Sequence, residues 1–318
     1  MLSIQRKSKL RFYARAISQH WMVPDAWYRQ CLERRLSFCD QDDPQLIQER
    51  VNYYFKPNAP FTISEHAHDL KSMSSSKQTA YYYDMRALLR YFPKTLRVDY
   101  TFGDVRDTAD RPTLVKSREI SDTNGNNVLL KLNQVRHFMP IQDKVPFPDK
   151  KDLLVWRGAG WQQHRKDFLA EYWNHPLCDV GQVNPPEHGS RVEWVKPKMS
   201  VAEQLQYKYI LSIEGNDVAT NLKWIAQSNS LCFMTRPKFE TWMMEGRLIP
   251  GTHYVELRAD YADLPEKIKY YEEHPDEALG IIENLKSYYR PFGDSRREEL
   301  ISLLIMKKYA ELSGQCDG

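Results

Sequence analysis

No run in the 318 residues approaches the roughly 18 consecutive apolar positions of a membrane-spanning helix, and the first residues lack the apolar core and small-residue cleavage site of a secretion signal. The five cysteines, Cys31, Cys39, Cys178, Cys232 and Cys316, show no CxxC spacing and are odd in number. A disulfide framework is thereby disfavoured, and free, mostly buried thiols in a cytoplasmic protein are expected. A net charge of +3, with no long basic run carrying interleaved aromatics, counts against a nucleic-acid partner. Metal chemistry has little to stand on. His66 and His68 lack partner ligands at metal-site spacing, and Asp40 and Asp42 precede a helix-like stretch at 45–51 instead of ending a strand.

What is present is a soluble globular composition, 42% hydrophobic and 27% charged, on a chain long enough for two domains. The expected division is 1–148 and 149–318, with the proline-bearing stretch 145–148 as linker. The opening segment is basic and aromatic: Arg6, Lys7, Lys9, Arg11, Arg15, Arg29, Arg34 and Arg35 face only Asp25 and Glu33. Such a segment suits either the surface of an anionic membrane or a solvated helix packed on the body.

The stretch 210–230 organises the rest. A buried strand ending near Ile213 meets a turn at Glu214-Gly215-Asn216, and a helix is expected to open at Asp217, a good N-cap type. The first N–H groups of a helix are unpartnered and carry the positive end of its dipole, so an anion settles there, with Thr220, Asn221 and Lys223 as further side-chain contacts. The stretch 152–173 repeats the layout: strand, then Arg157-Gly-Ala-Gly160, then a helix from about Gln162 bearing Arg165. The GxG is half a dinucleotide fingerprint with its third glycine missing. Two arginines beside a glycine turn suit phosphate, because the guanidinium fork holds phosphate oxygens in pairs. Strands at 178–183, 231–234 and 253–257, a capping box at Asp263–Glu266, and helices to the C-terminus complete a β/α half.

In the first half, residues 96–102 alternate as a strand that stops at Gly103-Asp104, and a carboxylate at such an edge is where α/β folds put chemistry. Lys116 and Arg118 end a short strand, and Arg136 and His137 follow another.

Several of these segments together resemble glycosyltransferase family 90: Tyr207-Lys-Tyr-Ile-Leu-Ser-Ile-Glu-Gly215, Asn221-Leu-Lys-Trp224, Ser228-Asn-Ser230, His253-Tyr-Val255 and Asp263-Leu264. Lys116-Ser-Arg118 and Arg136-His-Phe138 resemble its bacterial lipopolysaccharide-core branch in particular. The resemblance covers residues 95–290. It implies an α/β fold of the GT-B type, two Rossmann-like domains facing across a cleft, and an inverting hexosyltransferase using a UDP-sugar without a metal. It further implies Arg157, Gly158, Arg165, Gly215, Thr220 and Asn221 on the donor, although Asn221 stands where animal members have arginine, with Lys223 as a possible substitute. It implies a catalytic base at Asp104, at the strand end, or at Asp107, in a triplet like the animal motif. Lys116, Arg118, Arg136 and His137 are expected on an anionic lipopolysaccharide inner-core acceptor, at the cytoplasmic face of the inner membrane. Two other readings remain: a nucleotide- or glycan-binding protein of the same fold without turnover, and a nicotinamide enzyme. The second is weakened by the missing glycine and by having only Asp179 as a ribose-binding carboxylate.

Overall fold

The computed structural model describes residues 10–14, 16–18, 24–37, 43–73, 78–186 and 189–315. Asp40, Asp42, Cys39, Cys316 and the cations Arg6, Lys7, Lys9 and Arg15 lie outside them. The chain forms two compact units, one of Met1–Met139, Phe239–Met244 and Phe292–Gly318, the other of Pro140–Lys238 and Glu245–Pro291.

In unit 1, described helices are α1 (Asp25–Leu36), α2 (Pro44–Tyr54), α3 (Thr79–Leu89), α4 (Gln134–His137) and α10 (Ser295–Leu312), with residues 10–14 and 16–18 also helical. β1 (Tyr100–Thr101), β2 (Thr113–Val115) and β4 (Asn127–Leu129) make a parallel sheet in the order β1-β2-β4. The strand expected over 96–102 is therefore reduced to two residues, because Val98 is drawn into an antiparallel bridge with His68. The strand expected to end at Lys116 and Arg118 splits: β3 (Ser117–Glu119) leaves β2 and pairs antiparallel with β9 (Phe239–Thr241), about 120 residues on. α10 supplies the core with Leu300, Ile301, Leu303, Ile305 and Met306, all buried at helical spacing, against Ile47 and Val51 of α2.

Unit 2 is a five-stranded parallel sheet of β5 (Lys151–Gly158), β6 (Cys178–Gln182), β7 (Tyr207–Leu211), β8 (Leu231–Thr235) and β10 (Val255–Leu257). Its helices are α5 (Gln163–Tyr172), α6 (Val201–Gln204), α7 (Leu222–Ile225), α8 (Leu264–Glu273) and α9 (Pro275–Tyr289). The strand centres read as continuous apolar runs because neither face is left to solvent; Leu154, Val155, Trp156, Ile210, Leu211, Leu231 and Phe233 are all buried. The order β10-β8-β7-β5-β6 is that of a doubly wound sheet. The chain moves from β5 to one side and then to the other, so β5 and β7 flank the switch point, where their C-terminal loops diverge.

Two local expectations fail for physical reasons. No helix opens at Asp217: residues 215–218 are a bend closed by the Gly215 N–H donating to the Asp217 carbonyl at 2.8 Å, and α7 is a single turn beginning at Leu222. The Asp263 capping box is not made either, because that carboxylate accepts the Arg258 backbone N–H at 3.0 Å and pairs with Lys267 at 3.1 Å. A true capping box sits at Ser200 and Glu203, ahead of β7. Among the described residues no helix is long and apolar enough to cross a membrane, and no three His, Cys, Asp or Glu side chains cluster as metal ligands would.

Candidate donor and acceptor sites

In unit 2 the loops after β5 and β7 meet at the switch point, which is where ligands bind doubly wound sheets. Arg165, in the first turn of α5, joins them. Its Nη1 donates to the Ala159 carbonyl (2.9 Å), its Nη2 to Ile213 (2.8 Å) and its Nε to Glu214 (2.9 Å). His164 Nε2 also meets the Glu214 carbonyl at 2.9 Å, and the Gln162 amide donates to the Asn216 side chain at 3.1 Å. Burial holds the His164 pKa below its usual value. The Glu214 carboxylate in turn accepts the Lys238 backbone N–H at 3.0 Å, drawing in the loop after β8.

Two glycines are required by this geometry. A Cβ at Gly158 would fall on the Trp156 indole, and one at Gly215 would stand 3.3 Å from Arg165 Nη2, tighter than ordinary packing. Trp161, on the β5 loop, is 58% exposed, and Asn216, Lys238 and Arg236 are exposed at the same end of the sheet.

The other expected donor contacts are committed elsewhere. Arg157 places Nη2 on the Asp179 carboxylate (2.7 Å), Nη1 on the Asp179 and Trp156 carbonyls, and Nε on the Pro197 carbonyl. Asp179 also accepts from Lys196 (3.1 Å) and Tyr207 (2.6 Å). Burial alone would raise its pKa, but the Tyr207, Arg157 and Lys196 hydrogen bonds outweigh it and hold the carboxyl at about 2. Arg157 is thus a brace across β5 and β6, and Asp179 its partner. Lys223 is fully buried, 2.5 Å from the equally buried Glu245. Asn221 ties α7 back to β7, donating to the Leu211 carbonyl at 2.9 Å and accepting from the Ser212 hydroxyl at 3.2 Å. Asp217 is buried in the bend, and Thr220 is half-buried beside it.

In unit 1, Asp104 lies three residues past β1, beyond Gly103 at φ +102°. Its half-exposed carboxylate takes the ammonium of the buried Lys116 at 2.8 Å. The Asp107 side chain is exposed, while its carbonyl accepts from Asn127 at 2.9 Å. Arg118 has no surface. Its guanidinium is fully enclosed, on Glu240 (2.8 Å) and on the carbonyls of Tyr53, Tyr54 and Asn127. His137 is buried, and Arg136 exposed, on α4. That helix is held at its start by Asp84, which accepts the Gln134 backbone N–H at 2.9 Å and the Gln134 side-chain amide at 3.2 Å. Burial drives the Asp84 carboxyl up to about 7 against the pull of those hydrogen bonds and of Lys131.

The sequence did not single out His164, Gln162 or Trp161. Their position between a glycine turn and Arg165, within the first turn of a helix after a buried strand, is the signal that marks them.

A family model described as glycosyl transferase family 90 matches residues 122–313. Over 307 residues, 96% of either chain, the sequence is 46% identical to the O-glucosyltransferase LpsA of Dichelobacter nodosus. It is 25% identical over 190 residues to protein O-glucosyltransferase 2 of Danio rerio, covering 56% of this chain and 35% of that one. With protein O-glucosyltransferase 3 of Homo sapiens the identity is 27% over 173 residues, 51% and 32% of the two chains.

Proposed function

Glycosyltransferase family 90 is the family to which this chain belongs, and from that premise we propose that it moves a hexose, glucose or galactose, from a UDP-sugar to a hydroxyl of the lipopolysaccharide inner core. That it is a glycosyltransferase follows from the family and from its similarity to an O-glucosyltransferase along nearly the whole chain. The rest of the reading includes a GT-B arrangement with donor and acceptor on different Rossmann-like halves, inversion at the anomeric carbon, independence of metal, and action at the cytoplasmic face of the inner membrane.

The observation that carries the donor assignment is Arg165 bridging the β5 and β7 loops at the switch point. A fixed cation in that crevice suits a diphosphate and needs no rearrangement as charge develops on the leaving group. The acceptor oxygen forms its bond to the anomeric carbon as the bond from that carbon to the diphosphate breaks, and the hydroxyl proton passes to a carboxylate. Asp104 is preferred to Asp107 for that base, because the buried Lys116 fixes its carboxylate at 2.8 Å while leaving it half-exposed.

A thermal-shift titration with UDP, UDP-glucose, UDP-galactose, GDP-sugars and NAD, run with and without a chelator, tests the donor site. A ligand at 100 times its Kd adds about 2.7 kcal/mol of stability. Stabilisation by UDP compounds that survives chelation supports the reading; stabilisation by NAD alone refutes it. In transfer assays Asp104→Asn should lower kcat about 10²–10⁴-fold with donor binding kept. Donor and glycan binding without any turnover, in transfer or in donor hydrolysis, would instead establish the non-catalytic alternative.

A further inference from the structure

The charge of the chain is unevenly distributed. Eight of its 45 lysines and arginines but only two of its 42 acidic residues fall in positions 1–37, so that segment carries +6 and the remainder −3. The described part of it is fixed to unit 1 by one side only. Tyr13 packs edge-on against Tyr83, ring centres 6.1 Å apart, and its hydroxyl meets the Thr79 hydroxyl at 3.4 Å. α1 is held by Arg90, which pairs with Asp25 at 2.9 Å and lies over the Tyr28 ring, by Arg86 at 3.8 Å from Asp25, and by Arg35, 3.4 Å from Glu299. Those contacts neutralise Asp25 within the protein.

What points outward is apolar and cationic. Leu10 (72% exposed), Ala14 and Ile17 (45%) recur at i, i+4 and i+7, one stripe of a helix whose Phe12, Tyr13 and Ala16 are turned to partial burial. On α1, Trp27 (50% exposed), Gln30 and Arg34 recur at i, i+3 and i+7. Arg11 stands exposed beside the first stripe, and Glu33 is the one acidic side chain of α1 that points outward. Single exposed apolar residues are ordinary, but two helical stripes bearing Leu, Ile and Trp amid excess arginine are a different feature. An aromatic ring and aliphatic side chains enter the acyl boundary of a bilayer, and arginines lie among its anionic headgroups.

We infer that residues 10–14 and 16–18, with α1, form a docking surface for an anionic lipid bilayer. It deepens the proposed function by giving a lipid-linked acceptor a membrane on which the enzyme meets it, and it rests on that reading for this purpose alone. A second copy of the chain fits less well, since two surfaces of like positive charge would be apposed.

Cosedimentation of the full chain with vesicles tests it: phosphatidylglycerol mixed with phosphatidylethanolamine, against phosphatidylcholine, at about 0.1 M and about 0.5 M salt. Binding should require the anionic lipid and weaken with salt. Leu10→Asp combined with Ile17→Asp should weaken it at least about tenfold, and Trp27→Ala by a smaller factor, with the unfolding midpoint and transfer to a water-soluble acceptor unchanged. Equal binding to both vesicle types, no binding, binding unchanged in both variants, or a parent dimer that the double variant dissociates would each overturn it. Because vesicle binding is read without sugar transfer, its failure leaves the transferase reading standing, and failure of transfer leaves this surface standing.

Discussion

Arg165 of unit 2 and Arg118 of unit 1 meet two different kinds of partner. At the switch point of unit 2, Arg165 gives its donors to three backbone carbonyls and so fixes the shape of two loops, leaving side chains such as Trp161 and Asn216 outward. In unit 1, Arg118 and Lys116 are taken up by carboxylates, and Arg118 disappears from the surface altogether. Backbone carbonyls carry no net charge, so they fix the position of a cation without neutralising it. One that meets a buried carboxylate is neutralised and becomes part of the fold. Arginine serves in both cases, and the partner decides what it does.

The largest effect that would expose this difference comes from removing a buried partner. Glu240→Ala leaves Arg118 enclosed and uncompensated and should lower the stability of the chain by about 3–5 kcal/mol in urea unfolding. Arg118→Met with Glu240→Leu should recover most of that loss, since replacing both charges by apolar groups removes the desolvation penalty together with the attraction. If the single variant were nearly neutral, Arg118 would not be the buried brace described, and its assignment to an acceptor would be open again.

A second contrast lies in two buried or half-buried carboxyls whose pKa values move in opposite directions. Asp84 of unit 1, raised from 3.8 to about 7 chiefly by burial, is more easily protonated in the folded protein than in the unfolded chain. Its contribution to stability is therefore complete below about pH 3.8 and lost as pH rises through 7. Between pH 5 and 8 the parent should lose roughly 2–3 kcal/mol relative to Asp84→Asn, measured by denaturant unfolding of both proteins. Asp179 of unit 2, held at about 2 by Tyr207, Arg157 and Lys196 despite burial, behaves in reverse. Its contribution is present above 3.8 and lost as pH falls towards 2, so Asp179→Asn should flatten only the acid limb.

A smaller and more local effect is expected at Arg165. Arg165→Ala should cost about 2 kcal/mol, because carbonyls facing a partly enclosed site lose a charged donor. The kinetic signature matters more: the donor KM should rise by a larger factor than kcat falls, since the loops that hold the donor are released while the base is untouched. Arg157→Ala, by contrast, should act through stability and leave the ratio of those two changes near one. Equal behaviour of the two variants would erase the distinction between loop clip and strand brace.

How far these features could be read from the sequence follows the same division. The β5 strand, its glycine turn and α5, like the β7 strand and the turn at Gly215, are local: buried parallel strands read as apolar runs, and glycine marks the turn. The late start of α7 was hidden, because the Gly215 to Asp217 bend that replaces its first turn is set by burial of Val218 and Ala219, which helix signals do not report. Arg118 was hidden for another reason. Its partner is 122 positions away, on a strand contributed by a segment that returns to unit 1 from the middle of unit 2. No spacing rule reaches that far, and so the availability of a cation is a tertiary property even where its presence is a plain fact of sequence.

The smallest expected effect completes the contrast. Arg236 and Glu256 form a pair of the same chemistry as Arg118 and Glu240, at 2.9 Å against 2.8 Å, but the arginine is largely exposed. Water already solvates both charges, salt screens their attraction, and two long side chains must be ordered to make the contact. Arg236→Ala should therefore leave the unfolding midpoint unresolved from that of the parent at ordinary salt. A clear loss would mean that geometry, not burial, sets the worth of these pairs, and the loss predicted for Glu240→Ala would then need a different cause. Unchanged stability beside that large loss would leave burial as the variable that turns one guanidinium into structure and another into a surface charge at the end of the sheet where the donor is proposed to bind.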